Sequence, residues 1–426
     1  MGFASHYLQK HTEQKSLIKT LPDSYLKIVI SIPCYSEDKL FDSLESLYNC
    51  HRPKCGTEVI IFINYPDNSS KEIIEIHRAL YNTVQNWISG HQSQGLFFFV
   101  FLSELPSKTA GIGLARKIAM DEAVRRFELI DKPDGIIAGF DADCTCDDNY
   151  LVELERFFNY NPKTNGCSIR FEHPVSGSIY PKEVYESIIL YELYLRYYIY
   201  GLRFATLPYA FHTLGSSFAV KASAYTYQGG MNKRKAGEDF YFLNKIMALG
   251  NYHEINTTCI IPSPRPSNRL PFGTGAAIYK LMHNQNPEYF TYCPQAFYDL
   301  KFFISEIQNF FKASPVVISA YVEKLPEPIR LFLQNNNFKA VLDEINANCT
   351  TLNSFKKRFF RWFNGLMVLH FLNVSHEVFY KKIPLIKASK ELIYFIDGLN
   401  VPEEKLALLN SYRNLQKKEW INCQPQ

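Results

Sequence analysis

The segment Gly135-Ile136-Ile137-Ala138-Gly139-Phe140-Asp141-Ala142-Asp143 constrains this chain most, because an apolar run ends abruptly in two carboxylates one residue apart. Residues 136–140 are apolar at both parities, which describes a strand covered on both faces, as in a mainly parallel sheet flanked by helices. Ligands of open α/β sheets gather beyond the carboxyl ends of such strands. Hard divalent cations such as Mn²⁺ and Mg²⁺ take oxygen ligands, and a protein site often supplies one or two carboxylates while a bound diphosphate completes the set. The alternative is an Asp-rich turn that opens a helix. Asp147 and Asp148 already suit that purpose ahead of Tyr150-Leu151-Val152-Glu153-Leu154, which leaves Asp141 and Asp143 surplus to capping.

The 426 residues, 46% hydrophobic and 21% charged, bound a globular chain of two or three domains with a sizeable core. A formal net charge of +4 is too small for general nucleic-acid binding, so no nucleic-acid partner is expected. Residues 351–426 hold 12 Lys+Arg against 6 Asp+Glu, which describes either a solvated helical face or a contact with a polyanion or membrane. The ten cysteines show no repeated spacing, and Cys144-Thr145-Cys146 has no second pair to complete a zinc site. They read as reduced and buried. No segment is long and apolar enough to span a bilayer, and Met1-Gly2-Phe3-Ala4-Ser5-His6 lacks an apolar signal core, so the expected location is cytoplasmic.

Residues 1–26 are polar and read as an N-terminal extension. Strand and helix patterns then alternate, beginning with strand 27–32, which Pro33 stops, and a helix through Leu40, Leu44 and Leu47. Strand 59–63 precedes a helix through Ile73, Ile76, His77 and Leu80; strand 96–102 precedes Gly111-Ile112-Gly113 and a helix through Leu114, Ile118 and Val124. Each connection is long enough for a right-handed crossover, so an α/β fold with a mainly parallel sheet is expected. Residues 182–200 place Tyr and Leu on more than one face of a helix that should be mostly buried. Prolines and glycines make 262–275 a loop carrying Arg265 and Arg269, and beyond residue 276 the chain reads as mostly helical.

Acidic and basic groups fall at the ends of these elements. Glu238-Asp239 opens a helix, a position that the helix dipole also favours for purely structural carboxylates. Arg265 and Arg269 suit a diphosphate, since guanidinium groups match phosphate oxygens geometrically. The order of motifs says more than any one of them. With Ser31-Ile32-Pro33-Cys34-Tyr35-Ser36-Glu37, Gly111-Ile112-Gly113-Leu114-Ala115-Arg116-Lys117, Asp141-Ala142-Asp143, Gly229-Gly230 and Glu238-Asp239 in sequence, residues 27–275 resemble the family 2 glycosyltransferases of the GT-A fold.

The resemblance implies a catalytic domain over 27–275, and the helical C-terminal region over 276–426 lies outside it. It implies a nucleotide-diphosphate sugar donor held on a divalent cation, Mn²⁺ or Mg²⁺. On this reading the metal set is Asp141, Asp143 and His253; the donor set is Pro33, Tyr35, Glu37, Asn64, Asp67, Arg116, Asp141, Arg265 and Arg269; and the catalytic set is Asp239, as general base, with Glu238. One in-line displacement would invert the anomeric carbon and pass a single sugar to a hydroxyl of a glycan or lipid-linked acceptor. Three departures stand out: Asn64 and Asp67 replace an acidic pair at the end of the second strand, Lys117 stands where Asn is frequent, and the Gln-x-x-Arg-Trp pattern of processive members is absent. Lys356-Lys357-Arg358-Phe359-Phe360-Arg361-Trp362-Phe363 has a composition suited to peripheral contact with an anionic bilayer, or to a helix with its aromatic side packed inward. Two other functions compete: a catalytically silent relative that binds glycans or scaffolds other proteins, and a sugar-1-phosphate nucleotidyltransferase, which would want a glycine-rich cradle where Ser31–Tyr35 has no glycine.

Overall fold

The computed structural model describes residues 2–421 apart from 13–14, 92, 270, 285–287, 399–400 and 402. Eight strands form one mixed, mostly parallel sheet: β1 (Leu26–Cys34), β2 (Gly56–Pro66), β3 (Leu96–Leu105), β4 (Ile136–Gly139), β5 (Thr145–Cys146), β6 (Gly166–Phe171), β7 (Phe218–Lys221) and β8 (Tyr252–Ile261). Their spatial order is β3-β2-β1-β4-β7-β6-β8-β5. The first four are mutually parallel, β7 runs antiparallel to β4 and β6, and β6 and β8 are parallel again. The expected α/β architecture, a mainly parallel sheet flanked by helices and followed by a helical region, is therefore what the chain forms.

The helices of this part are α1 (Ser5–His11), α2 (Leu40–Tyr48), α3 (Lys71–Gly90), α4 (Ile112–Leu129), α5 (Tyr150–Tyr160), α6 (Lys182–Phe204), α7 (Ala222–Tyr227), α8 (Glu238–Met247) and α9 (Thr274–Met282). β1 does not stop before Pro33 but runs through it. A missing N–H is tolerated there because β4 pairs with β1 only from Ile28 to Ser31, so Pro33 lies past the end of that neighbour. α3 turns His77 and Val84 inward and leaves Ile76 exposed, a rotation from the face its apolar residues suggest. In α6 the tyrosines are core: Tyr197 and Tyr200 are buried, and the Tyr197 hydroxyl donates to the Tyr292 carbonyl at 2.6 Å.

Described residues ahead of β1 dock on α4. Tyr7 and Ile18 are buried, the Tyr7 hydroxyl donates to Asp121 at 2.7 Å, and Glu122 accepts from the backbone N–H groups of Leu17 and Ile18 at 3.0 and 2.9 Å. This cover explains why α4 is buried around nearly its whole circumference, with the sheet on one side and the N-terminal segment on another. Lys117 has its explanation here too, since it pairs with Asp121 at 2.8 Å and donates to the Tyr7 hydroxyl at 2.9 Å.

The later helices are α10 (Pro294–Glu306), α11 (Pro315–Lys324), α12 (Glu327–Asn335), α13 (Phe338–Ala347), α14 (Leu352–Trp362), α15 (Gly365–Val378), α16 (Leu385–Asp397) and α17 (Lys405–Ile421), with a small ribbon of β9 (Phe290–Thr291) and β10 (Ile383–Pro384). Their core is aromatic: the Phe303 ring lies 6.2, 5.9 and 5.3 Å from those of Phe338, Phe359 and Phe363. In α14 the rings of Phe355 and Phe359 are buried while Lys357, Arg358 and Arg361 are exposed, so these two aromatic side chains pack inward. Among the described residues no helix is long and apolar enough to cross a membrane.

The chain divides into two compact units, one of Met1–Tyr185, Thr213–Met282 and Gln416–Gln426, the other of Glu186–His212 and His283–Leu415. Within the first unit, Gln416 donates to Glu254 at 3.0 Å, its carbonyl accepts from Asn256 at 3.0 Å, and Lys417 pairs with Glu172 at 3.0 Å.

Candidate active site

Strand directions decide which residues meet. β1, β2 and β4 end at the same edge of the sheet, and two reversals, into β7 and out of it, bring β6 and β8 to end there as well. Tyr35 and Glu37 follow β1, Asp67 follows β2, Asp141 and Asp143 follow β4, Gly215 leads into β7, and Arg265 follows β8. His253 is the exception. It stands at the start of β8 in register with Cys167, whereas Ile261 at the far end pairs with Thr145. At the rise of a strand this separates it from the metal motif by about 26 Å, and its ring lies against Phe157. His253 does not belong to the metal set.

Arg116, from the first turns of α4, is the hub. It is buried, its Nη1 donates to Glu238 Oε1 at 2.9 Å, and its Nη2 donates to Asp141 Oδ1. Burial works against its charge, but Asp141, Glu238 and Asp239 together more than offset that. Two glycines make room: a Cβ at Gly215 would collide with the guanidinium, and one at Gly113 would collide with the Arg234 carbonyl and crowd Glu238. Both Nη groups of Arg116 meet protein carboxylates, and its Nε is buried without a hydrogen-bond partner. Glu238 is likewise an inner partner, buried, with its carboxyl pushed up to about 7 by burial and by Asp239 against the pull of Arg116.

Asp239 is the more exposed of the α8 pair. Its Oδ1 accepts from the Phe240 N–H at 2.7 Å, and burial followed by the charge on Asp141 raises its carboxyl above the ordinary range, against the pull of Arg116. Asp143, a quarter exposed, is pushed up to about 7 by burial first and then by Asp141 and Glu37, with Arg265 opposing. Arg265 Nη2 lies 2.5 Å from Glu37 Oε2 and 3.7 Å from Asp143 Oδ2, so one guanidinium spans an acid from each of two strand ends. Its Nε is buried without a hydrogen-bond partner.

At the end of β1, the exposed Tyr35 ring has the Arg269 guanidinium 5.6 Å from its centroid and the His77 ring at 4.9 Å. His77, which the sequence offered only as a helix-face residue, is buried with Nε2 unpartnered and touches Tyr65 as well. Its position among apolar neighbours on α3 carried no sign of this. Asn64 is buried and donates to the Cys34 carbonyl at 3.1 Å, tying β2 to the end of β1. Asp67 is exposed and accepts from the Ser107 N–H at 3.0 Å. Pro33 is buried within β1.

Asp141 and Asp143 offer hard oxygen donors, and burial first, then the charge on Asp141, raises the Asp143 carboxyl, an effect that a divalent cation would oppose. Among the described residues no three His, Cys, Asp or Glu side chains group to hold an ion by themselves. The donor set thus fits a cation that shares its coordination with a bound ligand.

No family model matches the sequence, and no curated protein matches it. Among solved structures the chain is similar to S. aureus TarS 1-349 in complex with UDP-GlcNAc, at 15% identity over 94% of this chain and 93% of that one, TM-score 0.38. It is also similar to the mannosyltransferase PcManGT from Pyrobaculum calidifontis in complex with GDP-Man and Mn²⁺, at 14% identity over 97% of this chain and 92% of that one, TM-score 0.38.

Proposed function

We propose that this chain is a metal-dependent, inverting glycosyltransferase that moves one sugar from a nucleotide-diphosphate donor to a hydroxyl of a glycan or lipid-linked acceptor. The observation that carries the reading is the meeting, through Arg116, of the Asp141 motif with the carboxylates of α8, two segments about a hundred residues apart in sequence. A cluster of this kind supplies both demands of glycosyl transfer. Asp141 and Asp143 would hold Mn²⁺ or Mg²⁺, which when bound supplies positive charge for the leaving diphosphate. Arg265, on leaving Glu37, and Arg269 have the geometry to pair with phosphate oxygens. Asp239 takes the proton of the acceptor hydroxyl, and its raised affinity for protons suits a base. Tyr35, with Arg269 beside it, offers a stacking surface to a nucleobase.

The competing reading, a silent glycan-binding or scaffold protein, rests on one observation: Asp141 and Asp143 already have guanidinium neighbours, so the cluster balances part of its own charge. Turnover decides between them. With a donor that binds, Asp239→Asn should lower kcat by about 10²–10⁴-fold with KM little changed; Mn²⁺-independent donor binding without turnover across acceptors, or full activity in the variant, would remove the enzymatic reading.

A further inference from the structure

The Cys144-Thr145-Cys146 motif finds no use in the proposed chemistry, yet the fold gives Cys146 a thiol partner. Cys50, just past the end of α2, lies with its Sγ 3.6 Å from Cys146 Sγ. The Ser46 side chain is 3.8 Å from Cys146, and Cys50 also reaches the Ser46 and Asp147 carbonyls at 3.3 and 3.6 Å. The two sulfurs are thus confined in one polar niche. Closing the gap to a disulfide bond requires about 1.6 Å of approach, and neither cysteine is engaged in another bridge. Cys146 is half-buried, which admits a small oxidant. Cys50 is buried, so Cys146 is the sulfur that meets the oxidant and Cys50 is the one placed to resolve it.

We propose that Cys50 and Cys146 are a redox modification site, oxidised by a hydroperoxide to a disulfide that pins the segment carrying Asp143. In the first step the Cys146 thiolate attacks one peroxide oxygen, the O–O bond breaks, and a sulfenic acid and water form after proton uptake. In the second, Cys50 sulfur attacks Cys146 sulfur, the S–O bond breaks, and the Cys50 proton leaves with hydroxide as water. The pair loses two electrons and two hydrogens; one peroxide becomes two waters. The consequence for activity follows from position: β5 starts two residues after Asp143, and it pairs with the end of β8 that leads to Arg265. That consequence rests on the function proposed above, whereas the disulfide itself does not.

The full chain, fully reduced and then treated with one equivalent of hydrogen peroxide, should lose about 2 Da, and non-reducing peptide mapping should link the peptides containing residues 50 and 146. Donor turnover with Mn²⁺ should fall several-fold and return with dithiothreitol, and Cys50→Ser and Cys146→Ser should each abolish both effects. Retention of both thiols as alkylatable groups, or linkage to other cysteines, overturns the site. A linked pair with unchanged turnover overturns its regulatory role, while absence of turnover in the reduced protein counts against the enzymatic reading and leaves the mass result to judge the disulfide.

Discussion

Arg116 is the residue on which the acidic cluster depends. Its removal leaves Asp141 and Glu238 facing each other without a counter-charge, the most costly way to break a buried pair. Arg116→Met should therefore destabilise the protein by about 3–5 kcal/mol in denaturant unfolding, and adding Glu238→Gln should recover part of that loss, since the two changes share one interaction. A second prediction concerns Asp143. Its folded-state proton affinity, near 7, exceeds the ordinary carboxylate value near 4, so the folded state binds the proton more tightly than the unfolded one. The ionised carboxylate then costs stability progressively as pH rises from about 4 to about 7. Asp143→Asn, which keeps the neutral form, should match the parent at pH 4 and melt about 2 °C higher at pH 8 without metal; an offset independent of pH would refute the assignment. Asp141, Asp143 and Asp239 were legible in the sequence because an acid beyond a strand or opening a helix has a position that pattern fixes. Arg116 was legible as a residue but not as a role, because nothing local distinguishes an arginine that faces a ligand from one turned toward carboxylates at 141 and 238. His253 misled for a related reason: it follows the Glu238-Asp239 helix in sequence, but the direction of β8 carries it to the opposite edge.

Among the elements, the core strands could be read from apolar runs, and α2, α4, α5 and α8 from their starts and periodicity. β7 could not, since Phe218–Lys221 is too short to show a pattern, yet its antiparallel insertion is what brings Gly215 beside Arg116. α1 was missed for a different physical reason. Its docking rests less on apolar area than on a closed set of polar contacts, in which Tyr7, Lys117 and Tyr225 surround Asp121. Hydrogen bonds of that kind leave no periodic trace. Tyr7→Phe removes the donor that joins the helix to Asp121 and should cost about 1–2 kcal/mol, and amide exchange should speed up in residues 5–11 more than elsewhere. Unchanged exchange there would mean that the packing of Ile18 and the bonds to Glu122 are sufficient to hold the segment.

Over the whole molecule, the chain forms two compact units and passes between them after Tyr185, His212, Met282 and Leu415. Composition registers a change of pattern but not a return, so no boundary signal marks the re-entry at Gln416. If the first unit holds donor and cation together, a nucleotide-diphosphate sugar with Mn²⁺ should raise the melting temperature more than the sum of either alone. Saturation at about 100 times Kd corresponds to about 2.7 kcal/mol. Strictly additive shifts across nucleotide sugars would argue against a shared site.

The bonds that Gln416 and Lys417 make to β6–β8 residues have a bearing on how the protein is made. A ribosome that has finished Met282 has yet to add about 130 residues before the stretch that caps Glu254 and Glu172 exists, an interval on the order of ten seconds at ordinary elongation rates. During that interval the nascent sheet waits with its last staples missing, and its completion is tied to the birth of everything in between.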